Sequence, residues 1–183
     1  MSDGLGGLVD SIVAATPGLP APETLASWSP QYSGQIDIRI LKDGSWEHEG
    51  TSIQREGLVR LFASLLRREA DGHYYLVTPS EKWRISVASH PFRVIDFEHD
   101  DLGTKCWQAL LNTGGRCRVG GDYQLHGEQL IGEEQAPPYM DLPNALTAQV
   151  DRSAWYRLIE CAETAGGAVY IDSAGERILL GSV

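Results

Sequence analysis

A chain of 183 residues buries about 70% of the surface its unfolded form exposes, so it folds without disulfide or metal staples. Its 25 acidic and 15 basic residues give a formal charge of −10, which a phosphate backbone repels, and nucleic acid is excluded as an ordinary partner. No window reaches the roughly 18 apolar residues of a membrane span, and Met1–Thr16 lacks the basic start and apolar stretch of a secretory signal. A cytoplasmic protein without a membrane partner is expected. Cys106, Cys117 and Cys161 are odd in number and form no Cys-x-x-Cys pair, so they are expected to be reduced and buried thiols.

In chain order, Leu5, Leu8, Ile12 and Val13 fall at helical spacing over Gly4–Ala15. Thr16–Pro22 then carries three prolines and cannot continue a helix. From Gln35, the residues Ile36, Ile38 and Ile40 alternate with Asp37 and Arg39, and Asp43-Gly44 supplies a tight turn before Ser45–Glu49. That combination predicts a β-hairpin. Ser52 is a candidate cap for a helix carrying Leu58, Leu61, Phe62, Leu65 and Leu66 on one face up to Glu69, closed by Asp71-Gly72. His73–Thr78 and Lys82–Val87 read as strands about a Pro79-Ser80-Glu81 turn.

Beyond His90-Pro91, strand patterns recur over Phe92–Glu98, Lys105–Leu111 and Arg116–Val119. Glu98–Asp101 reads as an acidic turn that keeps an edge soluble. Gly132–Pro138 is polar and ends in Pro-Pro, a loop or an edge. The last third repeats the earlier plan. Leu146–Val150 closes a strand, Asp151 and Ser153 are candidate caps, and Trp155, Leu158, Ile159 and Ala162 recur at the spacing of Leu58, Leu61, Phe62 and Leu65. Gly166-Gly167 stands where Gly72 stood, and two strands about Ser173-Ala174-Gly175 mirror Tyr74–Val87. The expected fold is α+β, mainly antiparallel sheet, with repeated helix-plus-hairpin motifs in two similar halves. An N-terminal helix and linker span 1–22, the first half 23–95 and the second half 96–183.

Several strings together carry a resemblance. Asp43-Gly44-Ser45-Trp46 with Glu49-Gly50, the run Ile53–Glu69, and Gly72–Lys82 are similar to the bacterial domain-of-unknown-function family 1285. Pro138-Tyr139-Met140 and Leu179-Leu180-Gly181 sit where that family carries a Pro-Tyr pair and a terminal Leu-Gly. The resemblance covers Trp28 to the C-terminus. It implies an α+β protein of repeated motifs with a signalling or ligand-sensing role, and it brings no catalytic residues.

The residues nominated for chemistry are Trp46, His48, Arg55, Glu81 and Lys82, joined by Tyr139 from the second half. An arginine at a helix N-terminus, beside backbone N–H groups, suits a carboxylate or phosphate. Against this stands the plainer assignment: Trp46 in the core, Arg55 paired with Glu81 or Glu49, and Lys82 solvated. The histidines His48, His73, His90, His99 and His126 adjoin acidic residues, but neighbours on a strand face opposite sides and do not chelate together, so no metal or other cofactor is expected. There is no Gly-x-Ser-x-Gly elbow or Gly-Lys-Ser/Thr phosphate loop, and the glycine pairs Gly114-Gly115 and Gly120-Gly121 do not open a helix after a strand. Trp83, Trp107, Trp155, Tyr74 and Tyr75 lie in apolar runs where packing is their expected role. The sequence thus favours a non-catalytic binding or regulatory module for a small anionic ligand or a protein partner. The alternatives are an enzyme using a polar cleft, and a homodimeric adaptor with the N-terminal helix as its arm.

Overall fold

The computed structural model describes residues 9–10, 12–14, 18–100, 106–127, 129–131 and 134–182. The fold is α+β and strand-rich, and its contacts divide it into two units, Met1–Ser89 and His90–Val183. Of the expected N-terminal helix, residues 9–10 and 12–14 are helical and Ile12 is fully buried; the remainder lies outside the described residues. No described helix is long and apolar enough to cross a membrane.

In the first unit, β1 (Tyr32–Ile40), β2 (Trp46–His48) and β3 (Thr51–Ser52) form a meander. The Asp43-Gly44 turn closes its first hairpin. Gly44 takes φ 81°, and Asp43 Oδ1 accepts bonds from Ser45 N and Oγ at 2.9 and 2.6 Å. Helix α2 (Glu56–Ser64) follows, then β4 (Leu66–Arg68), β5 (Tyr74–Val77) and β6 (Lys82–Val87). The helix is shorter than its apolar pattern. Ser52 is spent as a strand residue and does not cap it, and Leu66–Arg68 leaves the helix to pair antiparallel with Tyr74–Leu76. Asp71-Gly72 is accordingly the turn of this hairpin, with Gly72 at φ 82°.

A helix that the prolines concealed, α1 (Pro22–Ser27), starts with Pro22 in its first turn, where a missing N–H costs nothing. Its Leu25 packs with Trp28 on Tyr75 and Val77. Arg67 donates to the carbonyls of Leu25 and Trp28 at 3.2 and 2.9 Å, holding the end of α1. On the opposite face Trp46 stacks with Phe62 of α2, ring centroids 6.1 Å apart. Strand β5 is therefore buried on both faces, which explains its unbroken Tyr-Tyr-Leu-Val run.

The second unit opens with β7 (Phe92–Asp100), β8 (Cys106–Leu111) and β9 (Arg116–Arg118). Glu98, His99 and Asp100 are not a turn; they pair with Gln108, Trp107 and Cys106, and Asp101 lies outside the described residues. Next come β10 (Leu125–His126), a separate hairpin of β11 (Gln129–Ile131) and β12 (Glu134–Ala136), then β13 (Tyr139–Leu142) and β14 (Leu146–Val150). The two six-stranded sheets share one plan, β3-β2-β1-β6-β5-β4 and β9-β8-β7-β14-β13-β10, each with a parallel central pair between two meanders. After β14 come α3 (Arg152–Glu160) and a small sheet of β15 (Glu163–Ala165), β16 (Ala168–Ser173) and β17 (Glu176–Ser182). Helix followed by three-stranded meander thus occurs at Glu56–Val87 and again at Arg152–Ser182.

The small sheet docks through polar contacts, buried at Ser173 and exposed at Glu176. Ser173 Oγ, fully buried, accepts from Trp107 N at 3.0 Å and donates to the Val119 carbonyl at 2.7 Å. Glu176 accepts from Gly121 N at 3.0 Å. A methyl group at Gly127 would lie 2.0 Å from the Leu180 carbonyl oxygen, so only glycine fits there.

Candidate ligand-binding face

Strand register builds the site. His126, Tyr139, Gln149 and Arg93 are successive partners across β10, β13, β14 and β7, so their side chains share one face of the second sheet. Alternation puts Leu125, Met140, Ala148 and Phe92 on the other face, buried in the core. One face of four neighbouring strands is thereby polar.

At one end of this face the rings stack. Tyr139 lies 4.4 Å from His126 with planes 16° apart, and 5.6 Å from His90 at 29°. His126 Nε2 and Asp141 Oδ2 are 2.6 Å apart, and His90 Nδ1 meets Thr147 Oγ1 at 2.8 Å. Burial, and then the charge of Arg93, push the His90 pKa below its ordinary value. At the other end lies a cavity of about 350 Å³ over Arg93, Gln149, Arg152 and Trp155, walled by Pro137 and Pro138. Arg93 Nε bonds Asp151 Oδ1 at 2.6 Å. That contact explains why Asp151, at the N-cap of α3, makes no side-chain capping bond: its carboxylate is committed to the guanidinium. Arg152 is exposed and makes no ion pair among the described residues.

The sequence-nominated residues are dispersed. Trp46 and His48 share a face of β2, Trp46 only 2% exposed, with an indole N–H that has no partner among the described residues. Such an orphan costs about 1–3 kcal/mol. His48 pairs in register with Ile38, whereas Lys82 pairs with Tyr32 at the start of β1. Six residues of strand separate the two levels, about 20 Å. Arg55 is the exposed N-cap of α2 and makes no ion pair among the described residues. Lys82 is not solvated. It bonds Glu69 at 2.9 Å, lies 5.0 Å over the Tyr75 ring, and shares that carboxylate with Arg67 at 2.6 Å. Burial pushes Glu69 up, but Lys82 and Arg67 outweigh it and hold the carboxyl below its ordinary range. Glu81 belongs to the turn after Thr78, whose Oγ1 accepts from Glu81 N at 3.0 Å. Tyr139 alone of the six sits in the polar face.

Sequence reasoning missed Arg93, Gln149 and Arg152, because the parallel pairing of β7 with β14 joins segments more than fifty residues apart. The alternation of Tyr139, Asp141 and Thr147, Gln149 with buried neighbours was the available signal. Among the described residues no group of three or more His, Cys, Asp or Glu is placed to hold a metal ion. Of the thiols, Cys106 is buried and Cys117 half-buried, its pKa pushed up to about 11 by burial. The expectation that all three are buried fails at Cys161, which is exposed because it ends α3 at the surface. Trp155 and Tyr75 are buried as expected, while Trp83, Trp107 and Tyr74 are half-buried.

Comparison with other proteins fits this architecture. Residues 23–89 match the N-terminal domain of a family described as a domain of unknown function, DUF1285. A crystal structure of a DUF1285 family protein from Silicibacter pomeroyi DSS-3 superimposes with a TM-score of 0.79 at 34% identity, covering 96% of this chain and 95% of that one. A second, from Shewanella baltica OS155, gives 0.54 at 25% identity over 67% of this chain and 90% of that one. No curated protein matches. With a third of its residues identical to the first of these along nearly the full length of both chains, the protein belongs to the DUF1285 family.

Proposed function

We propose that this chain is a ligand-binding, regulatory module whose second unit takes a small anionic molecule. The observation that carries this reading is the cavity of about 350 Å³ bounded by Arg93 and Arg152 over an apolar wall of Pro137, Pro138 and Trp155. Its volume falls in the range of small-ligand pockets. The Arg152 guanidinium matches a carboxylate or phosphate by charge and by its forked donors, while the Arg93 guanidinium beside it is held by Asp151. Gln149 adds a neutral donor, and the first N–H groups of α3 add to the positive field near Arg152. The apolar wall suits a ligand with a hydrocarbon or aromatic part beside its charge. Of the residues nominated from sequence, this reading uses Tyr139, the register partner of Gln149. Recognition without turnover is the behaviour of a sensor, which agrees with a place in bacterial signalling.

Thermal unfolding against a panel of small carboxylates and phosphate esters tests the proposal. A ligand at about 100 times its dissociation constant stabilises by about 2.7 kcal/mol. The rise is expected in the parent protein and shrinks by about half or more in Arg152→Ala at the same ligand concentration.

A second reading, acid–base catalysis, rests on the His126–Asp141 pair at 2.6 Å, since a carboxylate that orients an imidazole is the arrangement of a general base. It predicts that His126→Gln leaves binding of a panel ligand intact and abolishes its conversion.

A further inference from the structure

A second cavity in the same unit, of about 410 Å³, has the opposite chemistry. Trp107, His99 and Tyr170 supply aromatic surface, Glu163 and Asp172 supply carboxylates, and neither lysine nor arginine lines it. His99 leans on Trp107 with centroids 4.8 Å apart. Glu163 and Tyr170 are register partners on β15 and β16, and the Tyr170 hydroxyl donates to Glu163 at 3.3 Å. Tyr170 and Asp172 lie two residues apart on one side of β16. The chain already shows what these groups hold: the Arg177 guanidinium lies 4.0 Å over the Tyr170 ring and bonds Asp172 at 3.0 and 3.1 Å.

We propose that this cavity binds an organic cation, an alkylammonium or guanidinium compound, against Trp107 and Tyr170 with Glu163 and Asp172 as its counter-charges, and that Arg177, outside the cavity lining, competes with it for Tyr170 and Asp172. Aromatic faces attract cations through the ring quadrupole, and the attraction grows as the site is desolvated. Two carboxylates fix the sign of the ligand. Arg177 is exposed, so it swings aside without disturbing the core. The site is separate from the arginine-bounded cavity and does not depend on it.

The probe is tetramethylammonium, which has a charge and no hydrogen-bond donor, compared with neutral tert-butanol of similar shape. Indole N–H resonances of the five tryptophans report occupancy. Tetramethylammonium is expected to shift the Trp107 signal saturably while tert-butanol leaves it in place, and Glu163→Gln, at an exposed position, weakens the response. Removing the competitor in Arg177→Gln tightens binding by about two- to thirtyfold, the range a ring–cation contact supports. An equal response to both probes, or none in either the parent or a folded Arg177→Gln, overturns the proposal.

Discussion

Arg93 on β7 and Asp151 at the head of α3 meet at 2.6 Å, so the strand that lines the arginine-bounded cavity is tied to the helix that closes it. Both side chains are mostly buried, and a charged hydrogen bond in that setting contributes about 1.5–3 kcal/mol. Asp151→Asn removes the counter-charge and leaves the guanidinium with a weaker partner. The variant is expected to unfold at lower denaturant by about 1–2 kcal/mol and to bind small anions more tightly than the parent. Urea unfolding and calorimetric titration measure the two effects, and a variant that loses both stability and anion affinity contradicts the assignment.

Acid sensitivity follows from His90. Its folded pKa is depressed by burial and by Arg93, so the folded protein holds fewer protons than the unfolded chain just below the ordinary value of 6.5. The stability from this group is complete above pH 6.5 and is lost as pH falls through the folded pKa. Glu69, held below its ordinary 4.5 by Lys82 and Arg67, adds its own loss at lower pH. Unfolding free energy measured from pH 8 down to about 5 is expected to decline in the parent and to stay flatter in His90→Gln.

Much of this architecture was legible in the sequence. Alternation in Ile36–Ile40 and the Asp43-Gly44 turn placed the first hairpin, and the repeated spacing of Leu58 and Trp155 pointed to a duplicated helix and hairpin, each of which the structure extends by one strand, Leu66–Arg68 and Glu163–Ala165. Boundaries failed where tertiary pairing overrode local pattern. Leu66 continues a helical stripe, yet pairing with Leu76 makes it a strand. Glu98–Asp100 is polar enough for a turn, yet pairs along β8. The site was harder still, because Arg93 and Gln149 meet only through a parallel pairing that no local signal announces.

Docking of the small sheet depends on close backbone approach. At Gly127 a Cβ would meet the Leu180 carbonyl oxygen at 2.0 Å, and backbone cannot give way as a flexible side chain does. Gly127→Ala is expected to cost about 1–3 kcal/mol or more and to speed amide exchange across Ala168–Ser182. Unchanged exchange there shows that the contact is not what holds the sheet.

The β13–β14 turn stores strain that a single change relieves. Asn144 and Ala145 take φ of 61° and 57°, and alanine pays for that left-handed geometry through its Cβ. Ala145→Gly is expected to raise the unfolding free energy by about 0.5–1 kcal/mol, the relief being partly offset by glycine's greater freedom when unfolded. Asparagine tolerates the conformation, so Asn144→Gly gains less.

The most direct test of an anion-binding second unit is calorimetric titration of the parent and of Arg152→Ala with small carboxylates and phosphate esters. Arg152 is exposed and pairs with no described carboxylate, so its removal leaves the fold intact. Saturable binding by the parent that weakens about tenfold or more in Arg152→Ala, equivalent to one charged contact of about 1.4 kcal/mol, is the predicted result. Equal affinity in the two proteins, or no binding by the parent to any member of the panel, contradicts the account.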